Sequence, residues 1–233
     1  MRIDVVVVTG VSRGLGEALF RQLLELGYTI VAISRQFTPL QSAAATANPR
    51  VHLLKADLSS VDDDFRSALG AALIVAGASR IIFINNAATL GPLERIGSLP
   101  PDAMQRAVAV NLAAPAIIAG WLAAYCADGD RELFVLNVTT GAALRPIEGL
   151  AAYCTTKAAA RMFFDVLAAE NPSTRVEHHD PGVVDTRMQG DLRDAPIGSL
   201  SSEDRSTFRA LWEEGKLKTP DEAALQIIER WFQ

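Results

Sequence analysis

The N-terminal segment carries the sequence feature that most limits the possible folds. Four consecutive valines, Val5 to Val8, form a β-branched run that is apolar on both faces. Such runs are typical of strands buried inside a parallel sheet. The run leads into a loop that contains Gly10, Gly14 and Gly16, and leucines at helical spacing follow as far as Gly27. This order of strand, glycine loop and helix predicts the first unit of a parallel α/β sheet.

The alternation of strands and helices continues along the chain. Further strands are predicted at residues 28–34, 51–55, 81–84, 133–138 and 175–179, and long helices at about 101–126 and 150–169. We therefore predict an α/β fold in which about six parallel strands form a doubly wound sheet with helices on both faces. Residues 1–233 are assigned to a single domain. The segment at about 185–215 is predicted to be a flap over a substrate site, because its irregular first half follows a strand end.

Composition and charge exclude several classes of protein. The chain has 233 residues, of which 49% are hydrophobic and 21% charged, as expected for a globular protein. Its net charge of −5 argues against nucleic-acid binding. The two cysteines cannot form a disulfide framework and fit a reducing cytoplasm. We see no signal peptide, and apolar stretches are interrupted before the ~18 residues of a membrane span. We expect a soluble cytoplasmic protein that binds neither nucleic acid nor membrane, and we predict no metal site.

The glycine loop predicts a dinucleotide site. Glycines between a strand and a helix permit a tight turn and allow a pyrophosphate to approach the backbone N–H groups at the helix N-terminus. Ser12, Arg13 and Leu15 complete the loop around its glycines. The alternative interpretation is a structural turn without a ligand, but the strand and helix on either side favour the nucleotide.

The end of the second predicted strand distinguishes the two nicotinamide cofactors. Proteins that bind NAD usually have an acid there, which binds the ribose 2′-hydroxyl. This chain has Ser34 and Arg35 instead, and Arg13 lies in the glycine loop. These groups suit a 2′-phosphate and predict NADP(H), although solvated arginines are the alternative. After the third strand, Asp57 and Leu58 are candidates for the adenine site, and a loop-capping role for the acid is the alternative.

A tyrosine and a lysine predict the chemistry. Tyr153 and Lys157 are four positions apart on a predicted helix, so they share one face. Exchange of an alcohol with a carbonyl requires an acid/base group within hydrogen-bond reach of the oxygen. Tyr153 is assigned this role. We expect its pKa to be lowered by Lys157 and by the positive charge of an oxidised nicotinamide.

These residues together resemble the short-chain dehydrogenase/reductase family, whose members have a Rossmann-type fold. The family motifs are present in order: the glycine loop, the segment 85–88, Asn111, the Tyr153–Lys157 pair, and Pro181-Gly182 with Thr186. The segments around the tyrosine and after the last strand are most similar to sepiapterin reductases and to benzil-type diketone reductases.

The resemblance implies roles for further residues. Lys157 is expected to bind the nicotinamide ribose, and Asn111 to hold a water that relays protons. The remaining cofactor residues implied by the family are Asn86, Ala87 and Ala88 at the adenine ribose, and Pro181, Gly182, Val184, Thr186 and Met188 at the nicotinamide.

Two positions depart from the family pattern. Thr140 replaces the serine that orients the substrate carbonyl, and it keeps the donor hydroxyl. The last family strand, which carries the pterin-anchoring aspartate of sepiapterin reductases, is expected to be missing.

The sequence therefore predicts an NADPH-dependent carbonyl reductase acting on a ketone or vicinal dicarbonyl. The substrate pocket is expected between the loop 140–146, the flap and the helix around Trp212. The resemblance implies a homodimer or homotetramer formed through the two long helices. Two alternatives remain open: an NAD-linked alcohol dehydrogenase that works oxidatively, and a non-catalytic nucleotide-sensing regulator on the same scaffold.

Overall fold

A computed structural model describes residues 3–232 as one parallel sheet covered by helices on both faces. The sheet has the strand order β3-β2-β1-β4-β5-β6. The strands are β1 Asp4–Thr9, β2 Thr29–Ser34, β3 Val51–Lys55, β4 Arg80–Asn85, β5 Glu132–Val138 and β6 Thr174–His179. The α/β, doubly wound, six-stranded prediction is confirmed, and within residues 3–232 no seventh strand joins the sheet.

Helices lie between successive strands, and three more follow the last strand. They are α1 Gly14–Glu25, α2 Pro39–Ala47, α3 Asp63–Ala76, α4 Pro101–Val108, α5 Ala114–Asp128, α6 Ala151–Glu170, α7 Arg187–Arg193, α8 Ser202–Glu213 and α9 Pro220–Trp231. A π-helical turn, Ala109–Ala113, joins α4 to α5, so these form one continuous helical stretch. A 3₁₀ turn, Gly141–Ala143, follows β5.

The valine run explains why β1 is the centre of the sheet. Val5, Val6, Val7 and Val8 have no solvent-exposed area. Each fully buried valine contributes roughly 1.5–3 kcal/mol relative to an exposed one. Alternate valines contribute to two separate apolar clusters: Val6 and Val8 meet α1 and α9, whereas Val5 and Val7 meet α3, α5 and α6. The strand therefore holds both helical layers together.

The position of β1 also places the ligand cleft. β1 pairs with β2 on one side and with β4 on the other, so the direction of the crossovers reverses between them. In open α/β sheets, ligands bind beyond the carboxyl ends of the strands at this reversal. The glycine loop after β1 and the loop after β4 meet there.

Two regions differ from the sequence-based description. Helix α2 was missed, although Thr38 and Gln41 form a capping box at its start. The flap is also more regular than expected, because it contains α7 and α8. Just beyond its far end, Lys218 forms an isolated parallel β-bridge with Val184, the residue that precedes the flap.

One helical stretch of the described residues, Pro101–Asp128, is long and apolar enough to span a membrane by length and composition alone, with a mean hydropathy of 1.8. This stretch departs from the expectation that apolar runs are interrupted before the ~18 residues of a membrane span. Ile118, Ala119 and Leu122 of this stretch are buried against the sheet. A core helix passes the same test, so the finding is weak evidence for a membrane span.

Candidate active site

A single cavity of about 1070 Å³ extends along the carboxyl edge of the sheet. It brings together every predicted site residue except Asn111. Those that line it are Gly10, Ser12, Arg13, Gly14, Leu15, Gly16, Ser34, Arg35, Asp57, Leu58, Asn86, Ala87, Ala88, Thr140, Tyr153, Lys157, Pro181, Gly182, Val184, Thr186 and Met188.

Two glycines are required by close backbone approach at the start of α1. A Cβ atom on Gly16 would lie 2.1 Å from the carbonyl oxygen of Gly10. Gly10 itself has a φ of +75°, and a Cβ there would lie 2.9 Å from the Cα of Ala87. The loop can therefore expose its backbone N–H groups to a ligand only with glycine at these positions. A pyrophosphate fits this end of the cavity, because the 12-residue helix α1 directs its N-terminus there.

The glycine loop is tied to the loop after β4. The Thr9 hydroxyl accepts hydrogen bonds from the backbone N–H groups of Asn86 at 3.1 Å and Ala87 at 3.0 Å. The Asn86 amide donates to the Thr9 carbonyl at 2.9 Å. From α2, the buried Gln41 amide donates to the Val11 carbonyl at 2.7 Å. Sequence reasoning assigned no role to the Thr9 hydroxyl or to Gln41, whose hydrogen bonds hold the loop in place.

The residues that follow β2 and β3 line the nucleotide end of the cavity. Ser34 is buried at the strand end, and Arg35 is exposed beside it. Asp57 accepts from the backbone N–H of Ser59 at 2.9 Å and pairs with Arg106 at 3.3 Å. The hydrogen bonds from Ser59 lower the pKa of Asp57 most, and the Arg106 and Arg35 charges lower it further. Asp57 thus caps its own loop and also lines the cavity.

Tyr153 and Thr140 meet where the cavity passes β5. Burial raises the pKa of Tyr153 well above its ordinary value, and the charges of Asp180 and Cys154 add to the rise, whereas a side-chain hydrogen bond with Thr140 lowers it. The net direction is upward, opposite to the effect expected from Lys157. The reason is that Tyr153 is only 9% exposed, so its phenolate is poorly solvated.

Lys157 is held one helical turn from Tyr153. Its ammonium donates to the Val138 carbonyl at 2.9 Å. Burial lowers the pKa of Lys157 to about 8. This residue lies at the junction between the nucleotide end and the substrate end of the cavity.

Asn111 occupies the π-helical turn and lies outside the cavity lining. Its amide oxygen accepts from the Thr89 N–H at 2.8 Å. Its amide nitrogen donates to the Thr89 carbonyl at 2.8 Å and to the Thr156 hydroxyl at 3.0 Å. The side chain therefore links the loop after β4 to α6.

The chain after β6 closes the cavity over the glycine loop. Gly182 has a φ of +76°, and a Cβ on Gly14 would lie 3.2 Å from the methyl group of Thr186. The Lys218 ammonium donates to the Pro181 carbonyl at 2.9 Å. This segment is thus anchored on one side by the glycine loop and on the other by the strand-like segment before α9.

The substrate end is lined mainly by an apolar cluster around Tyr153. Its buried members include Leu90, Ile147, Leu150 and Leu192, and Phe208 of α8 packs against them. Trp212 is not part of the cavity lining. It lies 53% exposed and stacks against the Arg193 guanidinium at 5.2 Å. Arg145 and Phe208, which also line the cavity, lie in the loop and the helix that were predicted to form the pocket, whereas Asp180 lies outside the predicted pocket segments.

The two histidines at the end of β6 have separate environments. The His178 Nδ1 atom lies 3.0 Å from the Asn137 amide nitrogen, and its Nε2 atom lies 2.9 Å from Asp165. Burial is the main reason that the pKa of His179 is lowered. In residues 3–232, no group of three or more His, Cys, Asp or Glu side chains is arranged to hold a metal ion.

Comparisons with known proteins agree with this geometry. The chain is 34% identical over 230 residues to benzil reductase ((S)-benzoin forming) from Bacillus cereus, covering 95% of this chain and 91% of that protein. It is also 34% identical over 238 residues to sepiapterin reductase from Meriones unguiculatus, covering 96% and 89%. The crystal structure of the KRED1-Pglu enzyme superposes with a TM-score of 0.84 at 31% identity, covering 95% and 91%. The family model for short chain dehydrogenases matches residues 4–196. The chain therefore belongs to the short-chain dehydrogenase family of oxidoreductases.

Proposed function

We propose that this chain is an NADPH-dependent carbonyl reductase that acts on ketones or vicinal dicarbonyl compounds. The observation that carries the proposal is the placement of Tyr153. Its phenol lies in one cavity with the glycine loop on one side and an apolar cluster on the other. A carbonyl bound there can meet a nucleotide and a proton donor at the same time.

The chain's own residues serve the reductive direction. A bound NADPH supplies the hydride. Tyr153 donates its proton to the carbonyl oxygen, and burial, which raises the pKa of Tyr153, favours the protonated phenol from which the transfer starts. The Thr140 hydroxyl orients the same oxygen. Lys157, whose ammonium donates to the Val138 carbonyl, would hold the nicotinamide ribose beside the phenol.

The preference for NADPH over NADH rests on the end of β2. Ser34 and Arg35 line the cavity there, and Arg13 faces it from the glycine loop. No ion pair to Arg13 or Arg35 occurs within residues 3–232, so both guanidinium groups are available for a 2′-phosphate. Asp57 pairs with Arg106, which offsets its negative charge.

The substrate class rests on the apolar cluster and on the relatives. Leucine, isoleucine and phenylalanine side chains around Tyr153 suit a flat or bulky apolar body. Two relatives act on benzil and on sepiapterin, as their names state.

We further place the enzyme in the cytoplasm, since both cysteines are free thiols. A homo-oligomer is supported by Ile117, Met162 and Val166, which are exposed on α5 and α6.

A substrate screen tests the proposed function. The purified protein is mixed with NADPH or NADH and with benzil, sepiapterin or simple aromatic ketones, and nucleotide oxidation is followed by absorbance. We expect oxidation of NADPH with at least one dicarbonyl and weaker use of NADH. Preferred use of NADH would support the dehydrogenase alternative. Tight NADPH binding without oxidation across the panel would support the regulator alternative.

A further inference from the structure

Asp180 is an acidic residue in the active-site cavity for which the proposed mechanism has no role. It is the first residue after β6, and it lines the cavity together with Thr140 and Tyr153. Its Oδ1 atom accepts from the backbone N–H of Gly182 at 2.8 Å, which fixes the orientation of the carboxylate. The Oδ2 atom has no hydrogen bond within residues 3–232. One carboxylate oxygen is therefore held in place and remains available to a ligand.

The negative charge of Asp180 is not neutralised by its neighbours. The Lys218 ammonium lies near Gly182 but donates to the Pro181 carbonyl and to the Gln226 side chain at 2.8 Å. Burial lowers the pKa of the adjacent His179, which disfavours its charged form. Across the part of the chain that the structure describes, Asp180 forms no ion pair. A hydrogen-bond donor or a cation bound in the cavity could therefore pair with the Asp180 carboxylate.

The carboxylate lies beside the position of the reacting carbonyl. A Cβ on Gly141, the residue after Thr140, would lie 3.9 Å from the Asp180 Oδ2 atom. The charge of Asp180 also acts on the Tyr153 phenol. Thr140 and Tyr153 together define where a carbonyl oxygen binds, so Asp180 faces the atoms attached next to that carbonyl.

We infer that Asp180 is a specificity residue that accepts a hydrogen bond from a hydroxyl or amino group on the carbon next to the reacting carbonyl. The inference rests on the proposed function and narrows its substrate class to 2-hydroxy ketones and 2-amino ketones with an apolar body. Hydride passes from NADPH to the carbonyl carbon, and the proton of Tyr153 passes to the oxygen. The products are a vicinal diol or amino alcohol and NADP⁺, and the phenol regains a proton from water.

Asp180 also discriminates against anions. A 2-oxo acid would place its carboxylate against the unpaired Asp180 carboxylate, and like charges repel, with a strength that solvent reduces because Asp180 is exposed. A vicinal diketone has neither a hydrogen-bond donor nor a negative charge, so Asp180 should neither favour nor disfavour its binding. Its first reduction product is a 2-hydroxy ketone, however, so the same site accepts it for a second reduction to the diol.

The test compares Asp180→Asn with wild type on matched aryl ketones. The Asn side chain keeps an oxygen for the Gly182 N–H but replaces the free acceptor with an NH₂ donor. The panel contains 2-hydroxy-1-phenylethanone, 2-amino-1-phenylethanone, acetophenone, phenylglyoxylate and benzil. The control variant is Glu148→Gln, which removes an exposed acid that pairs with Arg95 outside the cavity.

In wild type we expect kcat/KM for the hydroxy and amino ketones to exceed that for acetophenone by about tenfold or more, as a charged hydrogen bond allows. Asp180→Asn should lose about tenfold on these two substrates, gain on phenylglyoxylate, and keep benzil reduction within about twofold. A second readout is calorimetric binding of 2-amino-1-phenylethanol to the NADP⁺ complex, which Asp180→Asn should weaken by a similar factor. Glu148→Gln should change none of these values.

Equal losses on all substrates, benzil included, would overturn the inference and make Asp180 a structural residue. So would a wild type that shows no preference for the hydroxy and amino ketones. The proposed function fails separately, if wild type with NADPH reduces no member of the panel. In that case the calorimetric comparison still decides whether Asp180 binds the donor group.

Discussion

The two ends of the active-site cavity are built in different ways. At the nucleotide end, backbone groups approach so closely that side chains are excluded, as at Gly16, where a Cβ would lie 2.1 Å from a carbonyl oxygen. At the substrate end, the wall consists of side chains such as Ile147, Leu192 and Phe208, contributed by segments far apart in the chain. A site made of backbone geometry tolerates few sequences, whereas a side-chain wall can vary freely. Cofactor class is therefore easier to predict here than the substrate.

The substitution with the largest expected effect tests whether proton transfer takes place where the nucleotide end and the substrate end of the cavity meet. Tyr153→Phe removes the proton donor and should lower kcat/KM by about 10²–10⁴-fold. NADPH affinity, measured by quenching of protein fluorescence, should change little, because the ring remains. Tyr125→Phe is the matched control, since Tyr125 lies outside the cavity. Full activity in Tyr153→Phe would remove this tyrosine from the mechanism.

A second substitution tests the cofactor preference of the nucleotide end. Arg35→Ala should weaken NADPH binding by roughly 10–100-fold, as expected for loss of a charge-assisted hydrogen bond to phosphate, and should change NADH binding much less. Calorimetric titration with both nucleotides measures this difference. Arg209→Ala, an exposed arginine of α8 that does not line the cavity, should leave both affinities unchanged. Equal losses for the two nucleotides in Arg35→Ala would mean that the guanidinium does not contact the 2′-phosphate.

A pair of glycine substitutions tests the backbone approach directly. Gly16→Ala forces a methyl group against the Gly10 carbonyl and should destabilise the fold by about 1–3 kcal/mol, with weaker nucleotide binding. Gly70→Ala in α3 is the control, because nothing lies within 4 Å of its added Cβ. It should stabilise the protein by about 0.5–1 kcal/mol, since alanine favours a helix. Denaturant unfolding with and without NADPH measures the change in stability and in nucleotide binding. Equal stability changes for Gly16→Ala and Gly70→Ala would contradict the close backbone approach at Gly16.

The smallest expected effect concerns the lysine between the two ends. Burial lowers the pKa of Lys157 to about 8 from 10.5, so between these values the unfolded chain binds more protons than the folded one. The free energy of unfolding should therefore rise by about 1 kcal/mol from about pH 8 to about pH 9. Lys157→Met should lack this rise. An identical pH slope in wild type and variant would show that Lys157 is not desolvated.

Local patterns in the sequence predicted most of the nucleotide end. The apolar run of β1 and its glycines define a strand, a turn and a helix that adjoin one another in the chain. Tyr153 and Lys157 share a helix face by their spacing alone. Helix α2 was also readable from the Thr38–Gln41 capping box, but its alanine-rich body gave a weak apolar pattern.

The substrate end could not be predicted in the same way. Phe208 rather than Trp212 lines the cavity, and no local pattern distinguishes the two aromatic residues of one helix. The bonds of Asn111 to Thr89 and Thr156 depend on how a loop and two helices pack together. Whether the pKa of Tyr153 is raised or lowered likewise depends on burial, which is a property of the folded core.

By itself, the sequence determined the order of strands and helices, the doubly wound sheet and the positions of the glycine loop, Tyr153 and Lys157. These follow from interactions between residues close together in the chain, where propensity and periodicity decide. The tertiary structure alone decided that Asp180 lines the same cavity as Tyr153, that Asn111 bonds to Thr89 and Thr156, and that Phe208 packs against the apolar cluster. Each of these depends on distances between segments separated by tens of residues, and those distances are set by packing of the whole domain.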